Sequence, residues 1–526
     1  MLRIIITFIV NILFANDIDN IFYDYSKHQG HVRIDGDILW NEDWSAREIF
    51  FDGTFSNYPS MYGPQIERYY NRSEPDSSLK DSTLVSSYFD YVQGDYFLDN
   101  LDLGIKYYKK NGFINLHAFK KRFAGNFNQY NNNSGLIKPI QYSYVGSYFV
   151  KRPNDQITIS IGNFNSDYGL FDSTSLSFLD SRITSSNIKY ELQYDSLEYE
   201  IKIHNFLQRL DSFHSSSDYA GVRYLTRTKI DGMLLLIKNA NYNFGFIFEL
   251  NNRSLRYEAF KRHHWKTFGV FLKNKESKYS VGFIPYQDRV ELTSSVKSKF
   301  VMGPIHTTFN LEHSIRPAHI AMVDSLFFEV EDQLNLKNVL QFNKTRFGFN
   351  FAIYKESRSF YYKGLPKGGT NLWLSLNVNH PFTKNLIFDI SYDKSKAIKY
   401  VHDGIRDRLK LKISGDLKLF SKAMALSYVF SLDGYLNRQY GYALSPVEKF
   451  PVKVTGENKL KNIWVPSLSI TSTVKNVEIK YEMINMLNIA YNFLGKSNLD
   501  SPIILNQFFP SESRLASLSI MWNFYN

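Results

Sequence analysis

The chain of 526 residues has no cysteine, which removes disulfides, thiolate nucleophiles and sulfur-ligated metal centres together. It also lacks long apolar runs. Past the first fifteen residues no stretch of about eighteen apolar residues occurs, so helical membrane spans are excluded. Catalytic signatures are missing as well: there is no His-Glu-x-x-His, Gly-x-Ser-x-Gly, Walker loop or dinucleotide fingerprint. The twelve histidines fall in no strong motif. A barrel lipase or protease would need a Ser/His or Asp/His pair met on adjacent strands at a rim, which spacing alone does not reveal. The expectation is a protein that is not an enzyme, with no cofactor, no catalytic residue and no metal site.

What is abundant points elsewhere. Phe (43) and Tyr (37) are common, yet the mean hydropathy is −0.31. Aromatic richness with overall polarity suits a structure that turns every second residue to lipid and the rest to water. The formal charge is +11, from 62 Lys+Arg against 51 Asp+Glu. Such an excess attracts anions into a lumen or touches lipid phosphates. It is equally what a lysine-preferring composition yields, and with no basic cluster or nucleic-acid motif, no nucleic-acid partner is expected.

Residues 1–15 read as a signal peptide, with Arg3 as the basic head, Ile4 to Phe14 as the apolar core and Ala15 as the small residue before the polar Asn16-Asp17. Leu13 is not ideal for cleavage, which leaves the site free by a few residues. Residues 16–81 are polar and aromatic, with Trp40 and Trp44 close together. They read as a periplasmic or lumen-inserted extension that partly obstructs a pore. Residues 82–526 read as a transmembrane barrel.

The barrel rests on period-two alternation, as in Leu101 to Tyr107, Leu197 to His204, Leu409 to Leu419 and Val477 to Met483. The pattern predicts an all-β, large antiparallel transmembrane barrel of about 22 strands, within roughly 18 to 24. Tight links at Lys110-Asn111-Gly112, Arg152 to Asp155, Asp195-Ser196 and Lys475-Asn476 alternate with long polar segments. Those segments are Ala124 to Lys138, Asn163 to Ser175, Lys355 to Thr370, Asp433 to Lys461 and Gly495 to Ser513. Asn111-Gly112 suits a two-residue hairpin with positive φ at both positions. The stretch Asp231 to Val290 is least regular, with turns expected at Asn239 to Phe244, Lys261 to Trp265 and Lys273 to Lys278. His263-His264 then fall in a turn, and Glu312, His313 and His319 in a connection with Arg316 and Pro317.

Opposite the apolar residues of these strands lie the candidate lumen-lining charges. They are Lys106, Glu198, Glu200, Lys202, Lys410, Lys412, Asp416, Lys418, Glu478, Lys480 and Glu482. Both signs are represented, so most are expected to pair across strands, each pair contributing about 0.2–1 kcal/mol. In the last strand Leu518, Ile520, Trp522 and Phe524 share a face. Trp522 and Phe524 are expected at the periplasmic interface and as the signal read by the barrel-assembly machinery.

The final hairpin resembles that of TonB-dependent receptors. Glu478 to Tyr491, with Asn485-Met486-Leu487-Asn488, is similar to their penultimate strand. Pro510 to Arg514 before the Trp-x-Phe strand is similar to their entry into the last one. The resemblance implies a 22-stranded barrel, a solute ligand and TonB as a partner. It also implies a plug domain of well over a hundred residues, whereas only residues 16–81 precede the first strand expected at Ser82, and no TonB-box segment is evident. The leading expectation is thus a porin-like outer-membrane channel for small solutes. A receptor-like uptake protein and a barrel-anchored surface-binding protein are the alternatives. Outer-membrane lipid and lipopolysaccharide are expected neighbours.

Overall fold

The computed structural model describes residues 31–34, 37–41, 84–124, 140–169, 177–194, 197–214, 220–238, 242–286, 289–317, 324–357, 367–399, 404–444, 451–453, 460–486 and 514–525. Among these, twenty-two antiparallel strands close into one barrel. Each pairs with the next in sequence, and the last, Leu515–Tyr525, closes on the first, Leu84–Gly94. Closure leaves no free edge, so the strands satisfy one another's backbone groups without help from solvent. Two small hairpins stand outside the ring. One, Tyr442–Leu444 with Pro451–Lys453, sits in the connection between the paired strands Met424–Leu436 and Ile463–Val474. The other, His31–Ile34 with Asp37–Asn41, lies against strands Asp155–Gly169 and Phe178–Tyr194. No helix among the described residues is long and apolar enough to cross a membrane.

Both ends of the ring's chain, Leu84 and Tyr525, lie at one rim, with the short links 110–111, 152–154, 303–304, 343–344 and 475–476; among the described links at the opposite rim, 95–97 and Glu258 are short as well. The strand ends that the five long polar segments join all lie at the opposite rim. Short links on the side of both termini mark the periplasmic rim and the long ones the outer rim. Asn343 (φ 51°) and Lys475 (φ 52°) take the left-handed conformation that such tight turns need. The link at Lys110-Asn111 does not use it, since neither residue nor Gly112 has positive φ. Gly112 is already in the strand, and a Cβ there would stand 2.1 Å from the Phe149 carbonyl oxygen. Its glycine serves close backbone approach, not turn geometry.

The outward face carries the apolar alternation: Leu116 (53 % exposed), Ile161 (57 %), Leu292 (52 %) and Trp522 (47 %) are about half exposed there. Lipid is the solvent such a face requires. Strand length varies around the ring. Gly221–Lys238 has 18 residues and Val477–Ile484 has 8. A crossing takes about 9–11 residues, so the longest strands rise well past the hydrocarbon.

That excess length corrects several boundaries. Asn163 to Gly169, expected as loop, continues strand Asp155–Gly169. Its Asn163 and Asn165 bond each other above Ile159 and Ile161, and Asn163 donates to Thr184 at 3.2 Å. Lys261 to Trp265 is not a turn but lies inside strand Ala259–Lys273. Glu312 and His313 lie inside strand Ile305–Pro317. In each case a strand leaves the lipid layer, its outward residues become polar, and the segment reads as loop. The penultimate strand ends at Ile484, with Asn485 in the left-handed region (φ 56°). Residues 1–15, most of 16–81, the link Asp195-Ser196, His319, Leu487 onward in the receptor-like motif, and Pro510 to Ser513 lie outside the described residues.

Candidate functional site

Strand alternation sends the sequence-predicted charges to the face opposite the apolar one. Lys106 alternates with Ile105 and Tyr107, and its ammonium sits 4.0 Å over the Phe113 ring and 5.2 Å from that of Tyr108. Lys410, Lys412, Asp416 and Lys418 alternate with the exposed Ile413 and Leu417, as Glu478, Lys480 and Glu482 do with Ile479 and Tyr481. The structure brings Glu198, Glu200 and Lys202 into a wider ionic belt. Lys189 meets Glu191 at 2.9 Å and Glu200 at 3.4 Å, and Lys202 meets Glu200 at 3.4 Å. Lys238 reaches Glu198 at 3.4 Å, and Lys229 reaches Asp231 at 3.0 Å and Glu249 at 3.5 Å. Lys189, Glu191, Lys229, Asp231 and Glu249 join them only through register with the neighbouring strands, which the sequence does not give.

At the outer rim a second constellation stands on the inner face. Arg253, His263 and Trp265 are buried, and the guanidinium lies 5.3 Å over the indole ring. Arg253 approaches His263 Nδ1 at 3.1 Å, and the carbonyl of Asp324 lies 3.2 Å from His263 Nε2. A guanidinium only donates and a carbonyl only accepts, so Nδ1 is bare and Nε2 carries the proton. His263 is thus a neutral bridge rather than a solvated turn residue. Lys261 adds an ion pair to Asp324 at 2.8 Å, and Tyr286 donates to the Leu326 carbonyl. Leu326, Phe328 and Val330 pack on Trp265, Ile284 and Ile315. These contacts strap the end of one outer connection, Asp324 to Phe328, against the wall at the outer rim, beside strands Ala259–Lys273 and Ser277–Tyr286. The Lys261 ammonium also holds the exposed Asp324 carboxyl below the usual carboxylate range.

Glu312 and His313 are adjacent on a strand and point to opposite faces. His313 pairs with Asp332 at 2.6 Å. Among the described residues no three His, Asp or Glu side chains are grouped to hold a metal ion. A further polar cluster, Asp102 with His117 at 2.8 Å and Tyr88 at 3.1 Å, locks the first three barrel strands together. Trp522 and Phe524 stack at 4.7 Å on the outward face beside the periplasmic rim.

No protein-family profile matches the chain, and no curated protein does. Solved structures do. The FrpB iron transporter of Neisseria meningitidis (F3-3 variant) superposes with a TM-score of 0.63 at 8% identity, covering 85% of this chain and 82% of that one. The siderophore receptor PirA of Acinetobacter baumannii gives 0.61 at 7%, covering 85% and 81%. The copper transporter OprC gives 0.59 at 11%, covering 86% and 82%. The resemblance read from the last hairpin therefore extends to the whole ring as a likeness of fold. The protein is a closed 22-stranded barrel of the kind found in the bacterial outer membrane. The neighbours are transporters and receptors, not enzymes.

Proposed function

We propose that the protein is an outer-membrane transport protein that passes or binds small solutes through its lumen. The observation carrying this reading is the pairing of a closed ring with a charged inner face: the belt of Lys189, Glu191, Glu200, Lys202, Lys229, Asp231 and Glu249 faces water, opposite an apolar exterior. Lumen charges and the outer connections would set selectivity. A second reading, a receptor-like uptake protein, is favoured by strand number, since barrels of 22 strands typically hold a plug. Neighbours named as iron, siderophore and copper transporters point the same way. In that case solute binds at the outer mouth and release requires TonB. A barrel that only anchors a binding surface is the third.

Planar-bilayer recording of the full chain separates them. A steady open conductance supports the channel. A silent barrel, with solute uptake that stops when TonB is deleted, supports the receptor instead. A silent barrel in cells whose uptake ignores TonB leaves the anchor.

A further inference from the structure

The inner face changes character one quarter of the way round. Lys278 on strand Ser277–Tyr286 stands directly opposite Lys297 on strand Arg289–Met302, with Lys273 on Lys278's other side. One inward row nearer the periplasm, Lys299, Thr308, Lys337 and Asn350 follow one another across four strands. His306 lies two residues from Thr308 on the same face, and Arg346 stands opposite Gln341 in the row below. Among the described residues, Lys278, Lys297, Lys299, His306, Lys337 and Arg346 make no ion pair with an acid. The acids nearest in register are Glu276, opposite Lys299 in the adjoining link with its backbone carbonyl accepting from the Lys299 N–H at 3.2 Å, Glu312, one row above Lys297, and Asp389, which accepts from Asn379 instead. The other inward acids of these strands, Glu291, Glu329, Glu331 and Glu356, lie toward the outer rim. Glu331 is six residues from Lys337, roughly 20 Å along the strand.

Like charges set directly opposite oppose pairing. Here the repulsion is left standing along one patch, and the patch is concave. Lys299, His306, Thr308, Lys337, Gln341 and Arg346 line a recess of about 410 Å³. Lys299 and Lys337 flank Thr308 at two strand spacings, about 10 Å between backbones, a span within reach of two flexible lysine stems. Two ammonium groups, a guanidinium, an imidazole and a hydroxyl converging on one space is the donor set of an oxyanion site.

We infer that this recess is a binding station for small oxyanionic solutes, phosphate- or carboxylate-bearing, on the periplasmic half of the lumen wall. The inference rests on the transport reading and adds the solute class. Its experiment is bilayer recording of the full chain under a KCl gradient, with inorganic phosphate or citrate then added. Fields of one sign raise local counter-ion concentration by about tenfold or more. The reversal potential should therefore report anion selectivity of at least about threefold. Phosphate should block chloride current, and citrate in place of phosphate tells which oxyanion is preferred. The variant Lys299→Gln/Lys337→Gln/Arg346→Gln should bring selectivity near unity and release the block, while Lys110→Gln/Lys384→Gln, in the periplasmic links, should change neither. Cation selectivity, or a block unchanged in the triple variant, overturns the site. A silent barrel defeats the channel reading only. Calorimetric titration of the detergent-solubilised chain with inorganic phosphate at low salt then decides: binding lost in the triple variant supports the site, and absence of binding overturns it. Residues 16–81 carry 13 Asp+Glu against 6 Lys+Arg. If phosphate binds only after their removal, the recess serves that acidic segment and the solute assignment falls.

Discussion

Two walls of the barrel contain the same local arrangement, a lysine directly opposite a lysine, and treat it differently. Lys189 faces Lys202, and the next inward row puts Glu191 opposite Glu200. The four charges form a square in which each attraction runs along a strand or across a diagonal, so the two repulsions cancel. Lys278 faces Lys297, and the next inward row is Ser280 opposite Ser295, two hydroxyls bonded to each other at 2.7 Å. The first wall spends its charges on holding strands in register. In the second the strands are held by other means, and the cations are left with their field directed into the lumen. The contrast separates charge used for stability from charge offered to solute, a distinction that net charge alone conceals.

The largest way to break that contrast is Lys229→Met. Lys229 is the cation between Asp231 and Glu249, which are directly opposite each other. Its removal leaves two facing carboxylates and should cost about 2–3 kcal/mol, reduced from the fully buried case because all three side chains keep some solvent. Urea unfolding followed by tryptophan fluorescence measures it, and adding Glu249→Gln should recover most of the loss. In the second wall Lys297→Gln should instead be neutral or stabilising by about 0.2–1 kcal/mol, because it relieves an uncompensated repulsion. A loss of 2 kcal/mol or more there would erase the distinction between the walls. Asn310→Asp sharpens it. Asn310 lies beside Lys297 in register, so the new carboxylate converts a basic row into a paired one. Stability should rise by about 0.5 kcal/mol while anion selectivity falls.

The features readable from the residues were those inside the lipid layer. There the solvent on one side is apolar and on the other aqueous, which forces period two, and Leu409 to Leu419 and Val477 to Met483 declare their strands and faces. The ring size and the sidedness of the links follow from repeating that rule. The rule lapses where strands rise above the lipid. Arg262, His264 and Lys266 face outward from strand Ala259–Lys273, whose inward neighbours Lys261 and His263 are polar too, so a paired strand resembled a basic turn. The ionic belt was half legible: the inward faces of Glu198, Glu200 and Lys202 follow from alternation, whereas their partners on the adjacent strands are set by register, which alternation does not give. The basic recess had no linear signal, since Lys299, Lys337 and Arg346 are brought together only by register across four strands. The rim strap likewise depends on a contact between residues 61 positions apart, His263 and Asp324.

The strap yields the smallest effect and the one set by pH. Lys261 lowers the Asp324 carboxyl below its ordinary value, while the His263 hydrogen bond to the Asp324 backbone and the Tyr286 bond to Leu326 involve no charge change at Asp324. A depressed carboxylate contributes its full share above its unfolded value, near pH 3.9, and loses it as pH falls through the lower folded value. The ion pair is therefore constant from neutrality down to about pH 4 and fades only below. Hydrogen exchange of the amides from Ser325 to Phe328 should show no change between neutral pH and that limit after correction for intrinsic rates, then a loss of protection. In Asp324→Asn the same amides should exchange slightly faster at neutral pH and show no further step on acidification. A step in that variant would place the titrating group elsewhere, at His263, whose Nδ1 is bare and whose Nε2 bonds the Asp324 backbone, or in the acids of the outer rim, and would tie the strap to that group instead of to the Lys261–Asp324 pair.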